Sequence, residues 1–200
     1  MVNYKKVTNL LFELGFAYNV KNTSWQLIKA DNIPSLAEHS YRCAIIAFVI
    51  AVLEKMKDPY KIAFKALINK TYKIRLCDRH KVSANYFDYP RDIEDEVRKD
   101  QFKLLGDKFT KNIIELDNLS NKEKVIIKDA DQIELALEAR EFIDKGYKDA
   151  YIWIKRIQKV LKTKSAIGIL RNIQRVHSND WWKDLKKKPQ TKLQDYISRI

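Results

Sequence analysis

Three groups of residues in this chain of 200 could do chemistry. The first runs from Arg75 to Tyr89. It carries Arg75, Arg79, His80, Lys81, Tyr86, Phe87 and Tyr89, shows no hydrophobic period and stops at Pro90. Cations interleaved with rings on a loop suit phosphate contact and base stacking. A partly packed surface loop has the same composition. The second group is the tail, where Trp181-Trp182 precede Lys183, Lys186, Lys187, Lys188 and Lys192. The third is a pair of polar residues in apolar surroundings, His39 and Asp131. A single His in such a place reads first as a core residue with a satisfied hydrogen bond. An Asp beside Ala130 and Ile133 needs a partner, because an isolated buried carboxylate is costly.

The elements that must position these residues are helices. With 4 Gly and 4 Pro in the whole chain, turn signals are sparse, which favours long helices and short connections. Leu10, Leu11 and Leu14 give a helical stripe over Val7 to Tyr18. Trp25 reads as a packing residue. Ser35 and Glu38 make a capping box that opens a helix from Leu36 to about Lys57. Its interior, Cys43 to Leu53, is apolar on nearly all sides, the pattern of a helix at the buried centre of a bundle. Asp58-Pro59 starts the next helix, and the acidic turn after Arg91 another. Ser120 and Glu123 form a second capping box, opening a helix through Asp131 to Ile143 with Gly146 as its stop. Two more follow, Asp149 to Leu161 and Thr163 to Val176. No segment carries a convincing strand signal. The expected fold class is all-α, a compact multi-helix bundle in one domain over residues 1–200, ending in a basic tail at about 181–200.

The formal net charge is +13, from 39 Lys+Arg against 26 Asp+Glu. Such a field attracts polyanions, and a solvated lysine-rich surface produces the same balance. Cys43 and Cys77 are too few for a disulfide framework or a zinc spacing, so reduced thiols and a cytoplasmic location are expected. The start of the chain lacks a signal-peptide core, and the apolar run Cys43 to Leu53 is too short for a bilayer span, so no membrane partner is expected.

The stretch Ala66 to His80 resembles the core of the HD-domain phosphohydrolases, specifically the 5′-deoxynucleotidase-like, archaeal-type branch. In that family an apolar helix ends in His-Asp, with a Glu on the next turn and a Gly-Asp shortly after. Here these places hold Asn69-Lys70, Lys73 and Cys77-Asp78. Pro34 to Ser40 resembles the segment that supplies the first metal-ligating His, here His39. Lys128 to Asp131 resembles the segment ending in the last metal-ligating Asp. Leu161 to Ser165 and Ser178 to Trp182 resemble the C-terminal helices of archaeal-type members. The family often has an Arg before Trp25 that contacts the substrate phosphate; this chain has Ser24.

The resemblance implies an all-α HD-domain bundle whose metal site is degenerate, built from His39, Asn69, Lys70, Lys73, Asp78 and Asp131. Metal ligands must donate lone pairs. Asn69 has only a weak amide oxygen, and Lys70 has no lone pair at neutral pH. Lys73 stands where a carboxylate would serve in proton transfer. No metal cofactor is therefore expected. If Lys70 points inward, its ammonium takes roughly the metal's place, paired with Asp131 near His39. Lys70, Lys73 and Arg75 then form a metal-free anion pocket, with Asp78 placed for a sugar or base.

Three functions stay open. The expected one is a binding protein for nucleic acid, a nucleotide or another phosphate-rich ligand, held by the pocket residues with Arg79, Lys81, Tyr86, Phe87, Lys183, Lys186, Lys187 and Lys188. The second is a nucleotide phosphohydrolase with an atypical site, which would need a divalent metal. The third is a structural subunit, a homodimer or a partner of an active paralogue.

Overall fold

A computed structural model describes residues 3–185 except positions 88, 89, 91, 104 and 184; positions 108 and 114 are described by backbone alone. Helix α1 (Tyr4–Gly15) is capped by Asn3, whose side chain accepts from the Lys6 amide, and runs on into a 3-10 turn, Phe16–Tyr18. A second 3-10 turn, Thr23–Ile28, brings Trp25 inward. Helix α2 (Leu36–Leu53) opens on the Ser35/Glu38 capping box. Helix α3 (Pro59–Ile68) starts with Pro after Asp58, where the missing amide costs nothing. Two one-turn helices follow, α4 (Lys73–Leu76) and α5 (Lys81–Ala84). Then come α6 (Ile93–Lys103), α7 (Asp107–Asp117) and the long α8 (Asn121–Asp144). Helices α9 (Tyr151–Ile157) and α10 (Lys164–Ile173) follow, and a 3-10 turn, Asp180–Trp182, comes after them. Among the described residues the only sheet-like feature is an isolated bridge, Lys21 to Ser35.

The central element is α8. It opens on the Ser120/Glu123 capping box and buries Ile126, Ala130, Ile133, Ala136 and Ala139. The three alanines among them let α2, α3, α9 and α10 pack closely around it. Asp129 ties the far side: its carboxylate accepts from the amides of Lys162 and Thr163 and from the Thr163 hydroxyl, anchoring the start of α10. A second, smaller apolar cluster joins Leu10, Ile68, Phe102 and Ile113, where α1, α6 and α7 meet the end of α3.

Two expectations for α2 are corrected. It ends at Leu53, not Lys57, because Lys55 takes a left-handed φ of 55° and the Met56 amide turns back onto the Ala51 carbonyl. Nor is it buried all round. Leu36, His39, Cys43, Ala47, Ile50 and Ala51 face inward, whereas Tyr41, Ile45, Val49, Val52 and Leu53 are exposed. The helix as a whole, with a mean hydropathy of 1.6 over 18 residues, is long and apolar enough to cross a bilayer by length and composition. In the fold it is a bundle helix, with His39 and Arg42 ion-paired to α8.

Candidate functional site

Three elements bring the site together. His39 lies one turn inside α2, Lys70 just past the end of α3, and Asp131 in the middle of α8. The Lys70 ammonium donates to Asp131 Oδ1 and stands 3.1 Å from His39 Nε2, which is itself 3.0 Å from the same carboxylate oxygen. Cys43, one turn along α2, adds its Sγ at 3.4 Å from His39 Nε2. The inward Lys70 expected from the sequence is thus in place. Burial raises the cost of ionising Asp131, but Lys70 and His39 outweigh it and hold the carboxyl well below the usual range. Burial likewise opposes the charge on Lys70, and Asp131 more than restores it. For His39, hydrogen bonds to Asp131, Cys43 and Glu134 overcome burial and push its pKa up to about 12.

A second layer was not anticipated. His39 Nδ1 contacts Glu134, which is buried and also accepts from Arg42 Nε and Nη2 at 3.1 and 3.0 Å. One turn on, buried Glu138 accepts from Trp25 Nε1 at 2.6 Å and Asn22 Nδ2 at 3.1 Å. Burial and the neighbouring Glu134 charge push its pKa up to about 8. Its Oε1 has no hydrogen-bond partner among the described protein atoms. Asp131, Glu134, Glu138 and Glu141 recur every three or four residues on α8, and that period was the available signal.

Lys73 and Asp78 form the other half of the site. Lys73 pairs with Asp78, whose second oxygen accepts from the Thr23 amide at 2.7 Å and its hydroxyl at 2.9 Å. Asp78 is therefore spent on the 3-10 turn and Lys73, not held out toward a ligand. Cys77, in the place of the family's Gly, has φ 61° and ψ 168°. Only glycine enters that region without strain, so the backbone keeps a glycine's path.

Lys70, Lys73, Asp78, Asp131 and His39 line a cavity of about 180 Å³, together with Lys21, Ser24, Arg79 and Lys81. Among the described residues, Lys81 forms no ion pair, and Lys21 helps lower the Glu38 pKa from a distance without pairing with it. A wider groove of about 730 Å³ adjoins it through Ser24 and Lys81 and is walled by Leu27, Trp153 and Arg156. Arg75 is a correction: it faces away and holds Glu13 in a two-pronged pair at 2.7 and 2.9 Å. It lies on the outer side of α4, out of the cavity. Asn69 lines only a cleft of about 10 Å³ behind Lys70, with His39, Cys43 and Asp131. Tyr86 and Phe87 are exposed beyond α5, with Arg79 donating to the Phe87 carbonyl. Lys183 is exposed and pairs with Asp180 at 2.7 Å. Lys186, Lys187 and Lys188 lie outside the described residues.

Two sets of donors come within 4.8 Å of one another: His39, Cys43, Asp131, and His39, Glu134, Glu138. Neither fits a divalent ion. In the first, the Lys70 ammonium already binds Asp131 Oδ1 beside His39 Nε2, in a cleft with room for about one water. In the second, the Arg42 guanidinium occupies Glu134, and burial beside the Glu134 charge disfavours the ionised carboxylate of Glu138 that a metal would need.

No known family profile matches the sequence, and no curated protein sequence matches it. Solved structures do. A genomics crystal structure superposes with a TM-score of 0.76 at 25% identity, over 90% of this chain and 99% of that one. A predicted coding region of Archaeoglobus fulgidus gives 0.61 at 22%, over 89% and 99%. The HD phosphohydrolase DatZ of cyanophage S-2L, bound to dA and one catalytic Zn2+ ion, gives 0.56 at 13%, over 82% and 96%. The fold is therefore the all-α HD-domain bundle.

Proposed function

We propose that this HD-fold protein binds a phosphate-bearing ligand of the nucleotide or nucleic-acid kind without a divalent metal, and does not hydrolyse it by the metal route. The observation that carries this reading is the Lys70 ammonium bonded to Asp131 beside His39. A fixed positive charge there opposes a second cation and attracts an anion. Lys21, Lys73, Arg79 and Lys81 around the same cavity add to the field. The cavity suits a phosphate with part of a sugar. The adjoining groove falls in the usual size range for small-molecule sites, with Trp153 on its wall for the rest of the ligand. The dA held by the cyanophage neighbour supports a nucleoside as that remainder.

Two measurements test this. Fluorescence anisotropy with labelled dAMP and single-stranded DNA should show binding in roughly the 10⁻⁴ to 10⁻⁶ M range that falls steeply with salt. Lys73→Met together with Lys81→Met should abolish most of it, and an unchanged affinity would sink the reading. Plasma spectrometry of protein dialysed against zinc or manganese should find no stoichiometric metal. The triple variant Asn69→His, Lys70→Asp, Lys73→Glu should gain it, since it supplies imidazole and carboxylate donors and removes the ammonium. Stoichiometric metal in the wild type would move the atypical phosphohydrolase ahead of this reading.

A further inference from the structure

A third hollow, of about 630 Å³, lies between α8 and the link from α9 to α10, and Asp131 stands in its wall as well as in that of the lysine-lined cavity. The Trp153 groove shares Ser24 and Lys81 with the same cavity. The three hollows therefore follow one another as a track, with the cavity in the middle. The new one is basic. Lys124, Lys128 and Gln132 recur every four residues along one stripe of α8, and Lys162 on the link lines the same hollow. These three lysines are exposed, and none forms an ion pair among the described residues. Lys65, Lys70, Lys73 and Arg98 elsewhere are each paired. The two acids in the wall are already engaged. Asp129 accepts from the Lys162 and Thr163 amides, and Asp131 holds Lys70 and His39.

We infer that the ligand is a single strand of nucleic acid, whose backbone passes from the Trp153 groove through the lysine-lined cavity and on over Lys124, Lys128 and Lys162. The inference rests on the phosphate-binding reading above and names the substrate class of that site. A mononucleotide would fill the cavity and one groove and leave these three lysines unused. Phosphates that recur along a strand meet cations in all three hollows, the electrostatic track that single-strand binders use. A duplex is too wide for the middle of the track. Its grooves alone measure about 6 and 12 Å across, and the cavity holds about 180 Å³. Among the described residues no aromatic side chain lines the third hollow, so contacts there go to phosphate and are indifferent to the base.

Anisotropy titrations of the full chain across a range of salt test this, with labelled dAMP, an oligo-dA dodecamer and the matching duplex as probes. The dodecamer should bind roughly tenfold or more tighter than dAMP or the duplex, with the steepest salt dependence. Lys124→Gln combined with Lys128→Gln and Lys162→Gln should weaken the dodecamer roughly tenfold and flatten its salt slope by about 2, at about 0.7 for each phosphate contact. The dAMP affinity should not change, nor the helical circular dichroism, because all three positions are exposed. A control triple, Lys5→Gln with Lys6→Gln and Lys99→Gln, removes the same charge from α1 and α6, away from the residues that line the three hollows, and should leave the dodecamer bound as before. A dodecamer no tighter than dAMP, a duplex that equals it, or two triples that behave alike would overturn the strand, while dAMP binding kept the pocket reading. A dodecamer indifferent to Lys73→Met with Lys81→Met would run over the outer lysines alone and would also overturn the track. No binding of either single-stranded probe, even at low salt, would sink the pocket reading as well.

Discussion

Lys65 and Lys70 stand five residues apart, at the end of α3 and just beyond it, and each binds a carboxylate it must share with a second cation. Lys65 shares Asp117 with Arg98, whose Nη2 lies 2.9 Å from it. Lys70 shares Asp131 with His39. Their charge states are pushed in opposite directions. Burial and the Arg98 charge lower the Lys65 pKa in spite of Asp117. At Lys70 the negative charge of Asp131, with Glu134 behind it, outweighs burial and raises the pKa. Their surroundings differ too. Lys65 seals α3 to α7, whereas Lys70 lines a cavity ringed by further cations. A buried lysine pair is thus no mark of a site in itself. What lies beside it decides: one pair closes a seam, and the other charges a hole.

Deleting each carboxylate is the strongest way to break that contrast. Asp131→Ala strands Lys70 and His39 and should cost about 3–5 kcal/mol in denaturant unfolding, as for other severed buried pairs. Asp117→Ala should cost less, because Arg98 keeps Asp95 at 2.8 Å. Equal losses would erase the distinction. Next is the pH response of the Lys70 side. The folded Glu138 pKa is raised to about 8 from an ordinary 4.5. Between those values the native state binds a proton that the unfolded chain has released, so stability falls as pH rises through this window. Glu138→Gln mimics the protonated acid. It should flatten that fall and stabilise the protein at pH 8 by on the order of 1–3 kcal/mol, read from melting curves at pH 5 and pH 8. Lys70→Met should then weaken phosphate-ligand affinity by roughly tenfold, about 1.4 kcal/mol, with Lys65→Met leaving it unchanged in the same titration. The smallest effect concerns Cys77. Replacing this exposed residue by Gly should stabilise the fold by about 1 kcal/mol, since the relieved strain exceeds glycine's entropy cost. A destabilised Cys77→Gly would mean the thiol has a contact of its own.

Much of this was legible beforehand because the signals are local. Both capping boxes, the Asp58-Pro59 start and the stop at Gly146 depend on residues within one turn of each other. The Lys70–Asp131 pair was legible for another reason: the frame places those positions together, and a buried carboxylate demands a cation. What stayed hidden depends on direction in space. Arg75 sits two residues past Lys73, and on a one-turn helix that offset points it to Glu13. Glu134 and Glu138 look like solvated charges until α8 is known to be central. The outer face of α2 looked buried because residues of one hydrophobicity give a helix no sidedness, and only its neighbours do. The expected roles of Tyr86, Phe87 and Lys183 concern a ligand, and fold patterns do not speak to them.

The separation of the two apolar clusters has a kinetic consequence. Trp25, α2 and α8–α10 share one core, while Leu10, Ile68, Phe102 and Ile113 form their own. Amide deuterium exchange should resolve two cooperative units: α8 and the inner face of α2 exchanging only on global opening, and α1, α6 and α7 sooner. The joint between the units runs through Gln101, buried between Glu13 and the Thr71 carbonyl. Thr71 directly follows Lys70, so transient opening of the lesser unit would loosen the very turn that holds the ammonium, and exchange of the Lys73–Leu76 amides would report how often it lets go.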